Sequence, residues 1–234
     1  MRFLLSLREG RLRRRYQRFL AEVELAGGVV LAHVPNSGRL TDVALPGRRC
    51  FLAPTQGSSL PFRVELVDAE GCLVGINTWR AAPLAEEALT AGLVDLPGLQ
   101  RPFSIRREVA PLPGSRLDLL LEDGQGPYWV EVKNITWVVD GVALFPDAVT
   151  QRGAKHLRLL AELAAQGERT AVIYVVQRGD SQKVQAAATV DPAYARAVWD
   201  AAQAGVEFLA FEVEVSPREL RPRRSLPVVV EDPA

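Results

Sequence analysis

Short runs of β-like residues dominate the first third of the chain. From Leu12 to about Asn77 the segments RYQRFLAEVEL, VVLAHVP, RCFLAP, FRVELVD and CLVGIN are separated by Gly, Pro and Ser. Several strands at this spacing predict a small barrel or sandwich. The pattern changes at WRAAPLAEEALTAG, where Pro83 suits a first helical turn, Ala, Leu and Glu favour helix, and Gly92 can end it. LVDLPGLQRP then reads as a connection. Beyond Ser104 strands are expected at IRREVA, RLDLLLE and YWVEVKNITW, followed by a helix over about 147–166 whose Val149, Leu157, Leu160 and Ala164 keep a helical spacing. TAVIYVVQ is an uninterrupted apolar strand, Asp191-Pro192 opens a helix that Gly205 stops, and VEFLAFEVEV is a further strand. The second part is therefore expected to be an α/β domain with a mixed sheet.

One strand carries charge on a face that should be apolar. In YWVEVKNITW, Glu131 and Lys133 are two residues apart and so share a face. The preceding strand holds Asp118 among leucines, and Asp123-Gly124 after it is a hairpin signal. A hairpin centred between Gly124 and Gln125 places Asp118 opposite Glu131, with Cβ atoms about 5 Å apart. Two carboxylates at that range repel unless they share a cation. Lys133 is one candidate. A divalent metal such as Mg²⁺ or Mn²⁺ is a better one, because it leaves positions open for water and phosphate.

Composition adds partners and compartment. The 234 residues carry no net charge, yet residues 1–82 hold 12 Lys+Arg against 7 Asp+Glu, whereas residues 83–234 hold 16 against 21. The basic excess centres on RLRRRYQRF, where Arg13, Arg14, Arg15 and Arg18 interleave with Tyr16 and Phe19. That mixture is either a solvated strand face over barrel core or a phosphate-tracking and base-stacking surface for nucleic acid. With only Cys50 and Cys72 there is no disulfide framework or zinc spacing, and a reducing cytoplasm is expected. The apolar run in MRFLLSLREG is too short for a signal peptide, and no stretch reaches a membrane span, so no membrane partner is expected. Lys133 and Lys155 are two of only three lysines against 25 arginines. Oligomeric state stays open.

SRLDLLL, YWVEVKNIT, LFPDAVTQRGAKHL, RRSLPV, HVPNSGRL and INTW together resemble the sugar fermentation stimulation protein A family over nearly the whole chain. Asp118 with Glu131-x-Lys133 is similar to the PD-(D/E)XK signature of restriction-endonuclease-like folds. The resemblance implies an OB-fold barrel over 1–81, a restriction-endonuclease-like α/β domain over 82–234, and binding to nucleic acid, with DNA ahead of RNA. It further implies that Asp118 and Glu131 bind metal, that Lys133 assists the attacking water, and that Glu87 joins them from the helix opening the second domain. Lys155 and His156 of GAKHL are expected to contact phosphate, and His33 to buttress the turn of Pro35, Asn36 and Gly38. Gln151, Ala82 and Leu40 stand where the family often has Glu, Asn and Met. The leading expectation is a metal-dependent phosphodiesterase acting on nucleic acid. Its rivals are a non-catalytic DNA-binding regulator of sugar-utilisation genes, and a binding module whose charged strand is a buried ion pair.

Overall fold

The structure, a computed structural model, describes residues 1–112 and 114–233. The first strands are β1 (Arg8–Tyr16), β2 (Leu20–Leu25), β3 (Gly28–His33), β4 (Arg49–Pro54), β5 (Phe62–Ala69) and β6 (Cys72–Gly75). They run in the order β3-β2-β1-β4-β5-β6, and a parallel pairing of β3 with β5 closes five of them into a barrel. Leu12, Val23, Ala32, Leu52 and Val64 fill its interior. β1 begins at Arg8, ahead of the β-like region expected from Leu12, and the run RYQRFLAEVEL divides into the end of β1, a turn and β2. Of the alternating pattern of β1 only Gly10 and Leu12 face inward, while Arg11, Arg13 and Arg14 are exposed, so the charge hides the strand. Gln17 and Arg18 take positive φ values of 48° and 63° in the hairpin to β2.

The remaining chain forms α1 (Ala81–Thr90), β7 (Ser104–Leu112), β8 (Ser115–Asp123), β9 (Gly126–Ile135), β10 (Trp137–Val139), β11 (Val142–Phe145), α2 (Gln151–Ala165), β12 (Arg169–Val176), β13 (Lys183–Ala186), α3 (Pro192–Gln203), β14 (Glu207–Val215), β15 (Leu220–Leu226) and β16 (Val228–Val229). The main sheet has the order β15-β14-β12-β9-β8-β7. β12 pairs in parallel with β9 and β14, while the hairpins on either side are antiparallel. β12 shows why its sequence reads as unbroken apolar residues. Ala171, Ile173 and Val175 pack towards α1, whereas Val172, Tyr174 and Val176 pack towards α2 and α3, so both faces are covered. Phe51 and Leu66 of the barrel belong to the same core as Leu84 and Leu89 of α1, which fixes the barrel against the sheet.

Two sequence expectations shift. The helix expected from residue 147 starts at Gln151, because Thr150 caps it by accepting the Gly153 N–H at 3.1 Å and Asp147 is engaged elsewhere. A small second sheet, β10-β11-β13-β16, was not foreseen. Its strands are four residues or fewer, too short for alternation to register.

Candidate active site

The hairpin of β8 and β9 has the expected register, with Asp123 opposite Gly126 and Leu119 opposite Val130. At the next position the ladder stops. The Val132 N–H donates to Asp118 Oδ2 at 2.7 Å, so a side chain takes the place of a strand carbonyl. From there β8 stays with β7 and β9 stays with β12, and the pair opens into a fork. Asp118, Glu131 and Lys133 sit in that fork. They line a cleft of about 530 Å³ whose other walls come from the barrel loop Asn36–Gly38, from Thr78 and Trp79, and from the segment 144–152.

The electrostatics are unequal across the fork. Glu131 is only 3% exposed, and its Oε1 receives both the Lys133 ammonium and His156 Nδ1. Its Oε2 is buried without a hydrogen-bond partner among the described residues. Burial pushes the Glu131 carboxyl up, but Lys133 and His156 outweigh it, so the group stays below the usual range and is an anion. Asp118 goes the other way. Burial and the nearby Glu131 charge raise it to about 6, although the Val132 N–H and Lys133 favour its charged form. A buried carboxylate oxygen left unpaired costs several kcal/mol as an order of magnitude. A divalent cation shared by Glu131 Oε2 and Asp118 would remove that cost and the mutual repulsion together, so the donor set fits a hard, oxygen-binding ion. Among the described residues no group of three or more His, Cys, Asp or Glu forms a closed cage. Such an ion would therefore keep most positions for water or substrate oxygens.

The other predicted residues divide. Glu87 does not reach the fork: it lies six residues beyond Ala81, the α1 residue that lines the cleft, about 9 Å along the axis. It is exposed, and its carboxylate holds the Met1 ammonium at 3.0 Å. His156 edges the same groove as Lys155 but is mostly turned inward. At 5% exposed it is packed behind Glu131 and orients that carboxylate. Lys155, exposed at the preceding position of α2, lines a groove with Ser115, Arg116, His156 and Arg152, the last of which also lines the cleft. Arg15 is structural, since its guanidinium donates to the carbonyls of Arg18, Asn36, Gly38 and Arg39 at 2.7–2.8 Å. Arg13 and Arg14 are exposed and pair with Glu24 and Glu22 on β2, with Arg14 lying over the Tyr16 ring. Arg18, at the hairpin tip, lines the cleft.

Sequence reasoning missed residues that shape the cleft. Asp147 Oδ2 accepts the Leu40 N–H at 2.8 Å, tying the second domain to the PNSG loop. Asn134 Oδ1 is held by the Gln177 amide, which also donates to the Asn77 carbonyl at 3.2 Å. His33 makes no hydrogen bond to the turn among the described residues. Its ring instead lies between Phe19 and Trp79, with centroids 6.5 and 5.4 Å away. PNSG, LFPDAV and INTW mark these places in the sequence, but only as motifs without a stated chemistry.

Comparison with known proteins adds an independent line. Residues 14–76 match the family model described as the SfsA N-terminal OB domain, and residues 80–219 match the sugar fermentation stimulation protein RE domain. A sugar fermentation stimulation protein homolog of Citrifermentans bemidjiense is 49% identical over 95% of this chain and 96% of its own. That of Pseudomonas paraeruginosa is 47% identical over 97% and 99%. Among solved structures, Pyrococcus furiosus SfsA in complex with Ca²⁺ has a TM-score of 0.89 and 27% identity, covering 98% of both chains.

Proposed function

The chain belongs to the sugar fermentation stimulation protein family, and on that premise we propose that it binds DNA and hydrolyses phosphodiester bonds with the help of a divalent cation. In this reading residues 1–81 form an OB-fold nucleic-acid-binding domain and residues 82–234 a restriction-endonuclease-like domain of the PD-(D/E)XK type. The observation that carries it is the half-filled Glu131 carboxylate in the fork beside Asp118. The Pyrococcus furiosus relative, described in complex with Ca²⁺, supports an oxygen-bound divalent ion of the same kind. Mg²⁺ or Mn²⁺ is the proposed physiological ion, since cleavage chemistry favours a compact, strongly polarising cation.

The roles follow from the geometry. When bound, the cation neutralises phosphate charge and activates water. Glu131 is locked by His156 and Lys133 on one oxygen, which leaves the other aimed without rotational freedom. Asp118 is fixed by the Val132 N–H. Lys133 has two of its three N–H donors beyond the one given to Glu131, and these orient the attacking water and stabilise the charge developing on phosphate oxygens. Arg18 and Arg152 both line the cleft, which supports a role for them in receiving flanking phosphates.

One observation favours the non-catalytic alternative, a DNA-binding regulator: Glu87 lies outside the fork, which leaves two acids rather than three. Cleavage of labelled single- and double-stranded DNA and RNA with Mg²⁺ or Mn²⁺ decides between them. Calorimetric titration of Mn²⁺ into wild type and Asp118→Asn tests the metal site itself. Equal affinity in both would sink it, and tight nucleic-acid binding without cleavage would establish the regulator.

A further inference from the structure

The cleft has a second chemical character at its barrel side. Trp79 is 59% exposed and Phe19 46% exposed, and both flank the largely covered His33 ring. The Phe19 and His33 rings lie within 26° of parallel, and His33 tilts 41° towards Trp79. Arg63 extends its guanidinium over Trp79, 5.4 Å from the ring centroid. Burial and the Arg63 charge hold His33 below its ordinary range, so at neutral pH it is an uncharged aromatic surface.

The backbone beneath this row is tied down although the rings are left in water. The Trp79 N–H donates to Asn77 Oδ1 at 3.0 Å, Thr78 Oγ1 to the Pro35 carbonyl at 2.9 Å, and Arg80 to the buried Glu65. A large ring held rigidly in solvent is a costly arrangement that recurs where a partner supplies the missing contact. Trp79 and Arg18 also line the same cleft as Asp118, Glu131 and Lys133, so the row of rings meets the cleft at its Trp79 end.

We propose that Phe19, His33 and Trp79 form a stacking platform for unpaired nucleobases, which makes a single-stranded segment, rather than an intact duplex, the preferred occupant of the cleft. This deepens the proposed function and rests on it. A duplex buries its base faces in its own stack and offers rings nothing to pair with. An unpaired strand offers a π-face at every base and a phosphate beside it. Arg63 over Trp79 and Arg18 on the cleft wall supply cationic partners for the phosphates. A neutral saccharide would use the rings but carries no charge for the guanidinium groups to neutralise.

Anisotropy with the full chain and Ca²⁺ tests this, using labelled oligothymidylate and a labelled blunt duplex of equal length. Trp79→Ala is expected to weaken oligothymidylate binding about tenfold, in line with loss of one stacked base, while duplex binding changes by less than about twofold. Phe19→Ala should act in the same direction, and Trp79→Phe should recover most of the loss. Because neither side chain is part of the buried core, thermal melts should stay close to wild type. Equal losses on both substrates, or no loss, overturn the platform while leaving metal-dependent cleavage intact. Failure of wild type to bind either nucleic acid instead overturns the proposed function, and the platform with it. Displacement of the probe by a neutral oligosaccharide in wild type, lost in Trp79→Ala, would reassign the rings to sugar and overturn the proposal.

Discussion

Two buried glutamates in this protein look alike in sequence and differ in how they are satisfied. Glu65 of β5 is 1% exposed, and both of its oxygens are filled. Oε1 accepts from Arg63 and Arg80 at 2.9 Å, and Oε2 from Asn77 at 2.8 Å and Arg80 at 3.2 Å. Glu131 of β9 is 3% exposed and crowds its partners onto Oε1, leaving Oε2 empty. Each belongs to a pair two residues apart on a strand, Arg63-x-Glu65 and Glu131-x-Lys133. Charge on a buried face is thus no sign of function in itself. A saturated carboxylate is a clasp, and a half-saturated one beside a second acid is a place for something else.

The sharpest way to break this comparison is to remove each anion in turn. Glu65→Gln should destabilise the protein by about 3–5 kcal/mol, because it strands two guanidinium groups around a neutral amide. Divalent cations should not alter that loss. A thermal melt that barely moves would show that the clasp carries no weight. Lys133→Met comes next. It should lower cleavage on the order of a hundredfold, by analogy with loss of one preorganised stabilising group. Oligonucleotide binding and melting in the presence of Mg²⁺ should stay near wild type. A large fall in stability with no change in turnover would make Glu131 a second clasp.

Asp118 gives a test through pH. Its carboxyl is raised to about 6 in the fold, against about 3.9 in an unfolded chain. Between those values the native state keeps a proton that the unfolded state has lost, so stability without metal should fall as pH rises from about 4 to 6. Asp118→Asn removes this penalty. At about pH 8 in chelator it should stabilise by up to about 3 kcal/mol, and near pH 4 it should change little. Adding Ca²⁺ should raise the melting temperature of wild type and not of the variant. The smallest effect concerns the periphery. Arg18→Ala should reduce the salt dependence of single-strand binding by about one unit of slope. An unchanged slope would place the phosphate path elsewhere.

The sequence made the fork legible because two local rules agree there. Hairpin chemistry at Asp123-Gly124 sets the register, and the period of two then brings Asp118 to Glu131. The Asp191-Pro192 start of α3 was readable for the same reason, since Asp191 caps the Tyr194 N–H within three residues. What failed depends on contacts far along the chain. His156 is buried by the approach of α2 to β9, and Glu87 is turned outward by the face α1 gives to the sheet. Arg15 is engaged by carbonyls more than twenty residues away, which no local pattern announces. His33 became part of a ring stack only once residue 79 was folded beside it.

The loop of Asn36 to Leu40 has a mechanical consequence. Arg15 grips its carbonyls from the barrel, the Asn36 amide donates to the Ile76 carbonyl at 2.9 Å, and Asp147 holds Leu40 from the other domain. Bridged this way, and sharing a core through Phe51 and Leu66, the two halves are tied together at this seam. In the proposed function the groove would then act as a fixed slot into which a strand is laid, and its width would sort substrates before any chemistry begins. Scattering profiles with and without oligothymidylate should accordingly superimpose in protein dimensions, with no closing motion to time the reaction.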